Sequence, residues 1–222
     1  MIHDFNQTKI VCTVGPAIEE KVRMKKIIQA GMDVMRFNFS HSTHDEHEIR
    51  LNTLREINAE LGTHVAALVD TKGPEIRTHT FEGGEASFKV GQKVFIHMDE
   101  IVGDSERFSV SYPALINDVK IGGIIVVDDG YLSLQVLSVD KTKGIIETIS
   151  QNTHKIRDRR GVNVPGMELN LEYISAKDES DIKWACDHDV DFLAASFVRR
   201  ADDVIMLKNL LKKYGGESIQ II

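Results

Sequence analysis

Apolar and polar positions change their period twice along this chain. Through the first eighty residues, short apolar runs alternate with amphipathic stretches bounded by caps and glycines, which predicts strand, helix, strand, helix, strand. Residues 8–14 form an apolar, β-branched run ending at Gly15-Pro16, and a helix over residues 20–30 stops at Gly31, a residue suited to the left-handed position beyond a helix. Residues 33–40 read as the second strand and residues 45–61 as a helix ending at Gly62. The third strand, residues 64–69, is nearly continuous in apolar residues, as a strand covered on both faces is. Such alternation predicts a parallel sheet in an α/β fold.

From about residue 73 to 160 the period shortens. Strand-like runs at 93–97, 124–127, 131–136 and 145–149 are separated by Gly83-Gly84, Gly122-Gly123 and Asp128-Asp129-Gly130, which read as turns, since none opens a helix after a buried strand as a phosphate loop must. After Gly161 the first rhythm returns. Ser175-x-x-Asp178 is a capping box, followed by a helix to about residue 187, a strand at 190–195 and a helix at 201–214 ending at Gly215-Gly216. Residues 218–222 begin a fifth strand, and the chain is expected to be cut within it. With no repeat or low-complexity tract, the β segment reads as an insertion in one α/β unit.

Composition narrows the class. The 222 residues are 42% hydrophobic, enough for one ordinary core and a small second one. A formal net charge of −7 supplies no long-range field to gather nucleic acid or anionic lipid, so neither partner is expected, and any anion must be met by local positive groups. Met1-Ile2-His3-Asp4-Phe5 lacks a basic and then apolar leader pattern, and no uncharged stretch reaches the roughly 18 residues of a membrane span. The expected compartment is the cytoplasm. Cys12 and Cys186 share no close spacing and read as reduced, structural thiols.

The chemistry is concentrated at strand ends, where parallel α/β folds place their sites. The two-residue period of the second strand puts Arg36, Asn38 and Ser40 on one face and Met35, Phe37 and Phe39 on the other, packed against helices. A guanidinium and two neutral oxygens in a barrel mouth call for a partner, which a bound anion with a cation supplies. An amphipathic edge strand with its polar face in water is the competing reading. The third strand runs out through Asp70-Thr71-Lys72-Gly73-Pro74-Glu75-Ile76-Arg77 and the fourth through Ser196-Phe197-Val198-Arg199-Arg200. Together these ends describe a phosphate site with Arg36, Lys72, Arg77 and Arg199 as charge partners and oxygens for a cation. His41, His44 and His47 invite a zinc reading but lack a ligand spacing, and a solvated helix N-terminus favouring Asp45, Glu46 and Glu48 explains most of the segment, leaving His41 beside the site. No Walker loop or G-x-G-x-x-G opens a helix, so a nucleotide would be held by side chains.

Five segments, Thr8-Lys9-Ile10-Val11-Cys12-Thr13-Val14-Gly15-Pro16, Arg36-Phe37-Asn38-Phe39-Ser40-His41, the Asp70 to Arg77 run, Gly161-Val162-Asn163-Val164-Pro165-Gly166 and Ala195-Ser196-Phe197-Val198-Arg199, resemble the pyruvate kinase family in residues, order and spacing. The resemblance implies a partial TIM (β/α)8 barrel interrupted after its third strand by a small β-barrel-like lid: barrel at 1–73, lid at 74–160, barrel again at 161–222. It implies potassium at Asn38, Ser40, Asp70 and Thr71, phosphoenolpyruvate at Arg36, Ser196 and Arg199, and nucleotide phosphates at Arg36, His41, Arg77 and Arg160, with Lys72 and Glu75 in support. Glu75 in its Gly-Pro-Glu setting resembles the potassium-dependent members, and Arg160 stands where a lysine is common. The implied reaction is phosphoryl transfer from phosphoenolpyruvate to ADP, giving pyruvate and ATP in glycolysis, with Mg2+ or Mn2+ and K+, in a homotetramer whose lid closes over the nucleotide. In that family the catalytic lysine and divalent-metal ligands lie beyond the strand begun at Ser218, so this chain alone is expected to be inactive. A non-catalytic nucleotide- or phosphate-binding module, or half of a split enzyme, is the alternative.

Overall fold

A computed structural model describes residues 7–222; residues 1–5, read above for a leader, lie outside them. Along the chain come β1 (Val11–Thr13), α1 (Lys21–Gln29), β2 (Val34–Asn38), α2 (His44–Leu61) and β3 (Ala66–Asp70). Then follow β4 (Ile76–Arg77), β5 (Glu85–Phe88), β6 (Lys93–His97), β7 (Arg107–Ser109), the single helical turn α3 (Leu115–Asp118), β8 (Ile124–Val127), β9 (Leu132–Asp140), β10 (Ile145–Ser150), β11 (His154–Arg157) and β12 (Gly161–Asn163). The chain closes with α4 (Ala176–Asp187), β13 (Phe192–Ala194), α5 (Ala201–Lys213) and β14 (Gln220–Ile221). Two compact units result, Met1–Pro74 with Glu172–Ile222, and Glu75–Leu171.

The first unit is a partial TIM barrel. Its sheet has the order β1-β2-β3-β13-β14, every neighbouring pair parallel. Capping fixes where the helices start and stop. Thr43 accepts from the Glu46 N–H while Glu46 accepts from the Thr43 N–H at 2.8 Å, and Gly62, at φ 64°, ends α2 in the left-handed conformation. The Ser175 and Asp178 box forms at the spacing the sequence predicts. Met35, Phe37 and Phe39 are fully buried with Leu51, Leu54 and Ile57 of α2 and Ile182 and Trp184 of α4. Each such aromatic stabilises the unit by about 1.5–3 kcal/mol relative to exposure. Strand β1 is shorter than its apolar run, because as an edge strand it has a neighbour on one side only, and Ile10 and Val11 stay exposed. Cys186 is buried and Cys12 half-buried, both free thiols.

The second unit holds a seven-stranded sheet, β4-β12-β8-β9-β10-β6-β7, and the pair β11-β5, around Phe88, Phe108, Ile96, Leu115 and Ile125. Its pairings are antiparallel except β6 with β7. Asp128, Asp129 and Gly130 all take positive φ in the β8–β9 turn, a conformation aspartate tolerates and glycine favours. The first and last strands lie side by side, Ile76 opposite Val162 and Arg77 opposite Gly161. The sequence reading ends the insertion at residue 160, whereas this compact unit runs to Leu171. Strand β12 pairs within its sheet, and buried Asp118 accepts hydrogen bonds from Tyr112 Oη at 2.8 Å and from Asn170 Nδ2 at 2.8 Å. Among the described residues, no helix is long and apolar enough to cross a membrane.

Candidate phosphate and cation site

Strand register sets the site. Asn38 lies opposite Asp70, and Asp70 opposite Ala194, so the carboxyl ends of β2, β3 and β13 are adjacent. Asp70, last residue of the central strand of the three, joins them. Its Oδ2 accepts from Arg36 Nε at 2.7 Å and also from Nη2, and its Oδ1 accepts from Ser196 Oγ at 2.8 Å. Arg36 Nη1 donates to Thr13 Oγ1 of β1 at 2.8 Å. The guanidinium, for which the sequence reading calls on a bound anion with a cation, therefore already has internal partners in Asp70 and Thr13. With 32% of its side chain exposed, it can still meet an anion from solvent.

Oxygens surround this pair. Asn38 Oδ1 accepts from the Ser40 N–H at 3.0 Å, and Thr71, 5% exposed, donates through its N–H and its Oγ1 to the Ala194 carbonyl while accepting from the Ser196 N–H at 3.3 Å. Ser40, His41 and Lys72 are exposed. Gly73, at φ 64°, follows at once: a Cβ here would lie 2.8 Å from the Ser196 carbonyl oxygen, so only glycine lets the two backbones approach. Asp178 Oδ1 accepts from the Gly73 N–H at 3.0 Å. Arg199 is drawn to α5, with its N–H on Asp203 Oδ2 at 3.0 Å and its guanidinium 5.9 Å from the Tyr173 ring centre.

The remaining predicted residues belong to the second unit. Arg77 forms a two-pronged pair with Glu75, Nε to Oε2 at 2.8 Å and Nη2 to Oε1 at 2.6 Å, and Nη1 donates to the Arg159 carbonyl. Arg160 is adjacent, its N–H on Thr78 Oγ1 at 2.9 Å and its Nε 3.6 Å from Asp128 Oδ1.

The histidines require a correction. His47 is packed rather than solvated: it is 2% exposed, stacks on Phe39 at 4.2 Å and bonds through Nε2 to the His41 carbonyl, while His44, with 38% of its side chain exposed, is tied through Nε2 to Asp181 Oδ1 at 2.7 Å. Among the described residues, no three His, Cys, Asp or Glu side chains are gathered to hold a metal ion. Burial holds the His47 imidazole below its usual value of 6.5. The unfolded chain thus takes the proton first, so this stabilisation is present above about pH 6.5 and is lost as pH falls toward the folded value. Between pH 7.5 and 5.5 the melting temperature of the wild-type chain is expected to fall more steeply than that of His47→Gln; parallel curves would exclude His47 as the cause.

Three participants were missed by sequence reading. Thr13, Lys177 and Asp181 carried signals: Thr13 is a polar residue near the end of the first apolar run, and Lys177 and Asp181 are spaced i,i+4 on a helix.

Parallel strands whose carboxyl ends gather a carboxylate, a guanidinium and neutral oxygens, with a β unit inserted after the third, define a partial barrel of the kind that carries its sites at the strand ends. Within that class the chain belongs to the pyruvate kinase family, since the model of the pyruvate kinase barrel domain matches residues 5–222. A pyruvate kinase of Geobacillus stearothermophilus is 48% identical over 97% of this chain and one of Staphylococcus haemolyticus 45% identical over 98%. The chain spans 37% of the length of each. A solved structure of a pyruvate kinase from Cryptosporidium parvum matches 96% of this chain and 45% of its own at a TM-score of 0.85 and 36% identity.

Proposed function

We propose that this chain supplies the potassium and phosphate side of a pyruvate kinase, transferring the phosphoryl group of phosphoenolpyruvate to ADP in glycolysis. The observation that carries the reading is Asp70, which links Arg36 and Ser196 across the ends of adjacent strands. Arg36, Ser196 and Arg199 would meet phosphoenolpyruvate, while Arg36, His41, Arg77 and Arg160 would meet the nucleotide phosphates, with Lys72 and Glu75 in support. Asn38, Ser40, Asp70 and Thr71 offer hard oxygen donors with one carboxylate, a set that suits an alkali cation. Potassium held there supplies positive charge beside crowded phosphates. Asp70 keeps Arg36 and the Ser196 hydroxyl oriented before substrate arrives, so no reorganisation is needed at the moment of transfer.

The divalent ion, Mg2+ or Mn2+, and the family's lysine are expected outside this chain, in a cytoplasmic homotetramer. The purified 222-residue chain is therefore expected to be inactive in a lactate-dehydrogenase-coupled assay with Mg2+ and K+; magnesium-dependent turnover would sink this reading. The internally completed Arg36, Asp70 and Ser196 network also favours a second reading, a phosphate-binding module without catalysis. Saturable binding of phosphoenolpyruvate or ADP in a calorimetric titration, abolished in Arg36→Ala, separates it from an inert chain.

A further inference from the structure

Phe39 lies between Asn38 and Ser40 and is held on every side. Its N–H donates to the Asp70 carbonyl at 3.0 Å, its carbonyl accepts from Lys177 Nζ at 2.8 Å, and its ring is 1% exposed, stacked on His47 and 5.1 Å from Trp184. Lys177 is itself fixed by Asp181, whose Oδ2 lies 2.6 Å from Nζ. Asp181 is 1% exposed, and its other oxygen meets His44 at the start of α2. A buried carboxylate needs compensating donors, and these two lock it to the turn and to α2 at once.

The geometry points to Lys177 and Asp181 as positioning residues for the β2–α2 turn: they set the Phe39 peptide and thereby aim the Asn38 and Ser40 side chains. Asn38 is the last residue of β2 and Ser40 lies in the turn that follows, its N–H donating to Asn38 Oδ1 at 3.0 Å, so the Phe39 peptide held between them sets where both side chains start. The consequence for ion affinity rests on the potassium reading proposed above. An ordinary i,i+4 helix pair needs neither a buried carboxylate nor a bond to another element's carbonyl.

Two measurements on the full chain separate the claims. Hydrogen exchange at the Ser40 and His41 amides reports the turn without any ion. Potassium titration at constant ionic strength, followed by fluorescence of Trp184, the only tryptophan, reports the site. Lys177→Met, which keeps the apolar stem, is expected to speed exchange at these amides about tenfold and to raise the potassium midpoint about tenfold, the usual scale for losing a residue that orients an ion's ligands. Asp181→Asn should move both the same way, and Lys177→Arg should restore both. Lys213→Ala, which removes the Glu179 pair that ties α5 to the same helix, should leave both at wild-type values. Unchanged exchange in Lys177→Met overturns the positioning role whatever the ion does. Faster exchange in that variant, with a wild-type chain that ignores potassium, supports the positioning role and overturns the potassium reading.

Discussion

Asp70→Ala is expected to destabilise the first unit by about 2–4 kcal/mol and to abolish any potassium-linked binding of phosphoenolpyruvate. The substitution strands the Arg36 guanidinium and removes the acceptor of Ser196 Oγ together. The cost falls short of that for a wholly buried pair because a third of the Arg36 side chain stays in water. Asp70→Asn keeps an acceptor and the shape but not the charge, so it should fall between. Urea unfolding followed by Trp184 fluorescence measures both; an alanine variant within about 0.5 kcal/mol of wild type would show that Asp70 is not the hub of the strand ends.

Phe39→Ala should cost about 3–5 kcal/mol, the range for deleting a buried aromatic whose surroundings cannot collapse. Its ring is enclosed by His47 from α2 and Trp184 from α4, both fixed in position by their own helices. The same variant should shift Trp184 emission to longer wavelength as water enters. Wild-type emission and stability would mean that the turn repacks around the gap.

The residues that were legible in the sequence are those whose role is local. Gly62, the Ser175 and Asp178 box and the alternation of Arg36 and Asn38 with Phe37 and Phe39 follow from dihedral preference and strand period. The family resemblance rested on such runs, and the family-model match and the parallel sheet agree with it. What escaped was tertiary. Nothing near Arg36 in sequence says that Asp70, thirty-four positions on, will pair with it. His44 and His47 looked like solvated helix-start residues, because their neighbours Asp45, Glu46 and Glu48 are polar while the rings they meet come from Phe39 and from Trp184 on α4. Strands β5, β7, β11 and β12, each of three or four residues, are too short for a period to register.

The pairing of β4 with β12 also bears on the order of folding. Strand β3 cannot meet β13 until a long stretch of chain closes; the hydrogen bond from the Ala67 N–H to Asp191 spans 124 positions. If the insertion folds first, Ile76 and Val162 already lie opposite each other, and most of that stretch no longer counts as free loop. Closure entropy grows with the logarithm of loop length, so the shortening lowers the cost of closing β3 onto β13 by about 1 kcal/mol. In that order of events the β unit would act as a staple on the nascent barrel, and lesions that slow its own folding should delay barrel closure without touching a single barrel residue.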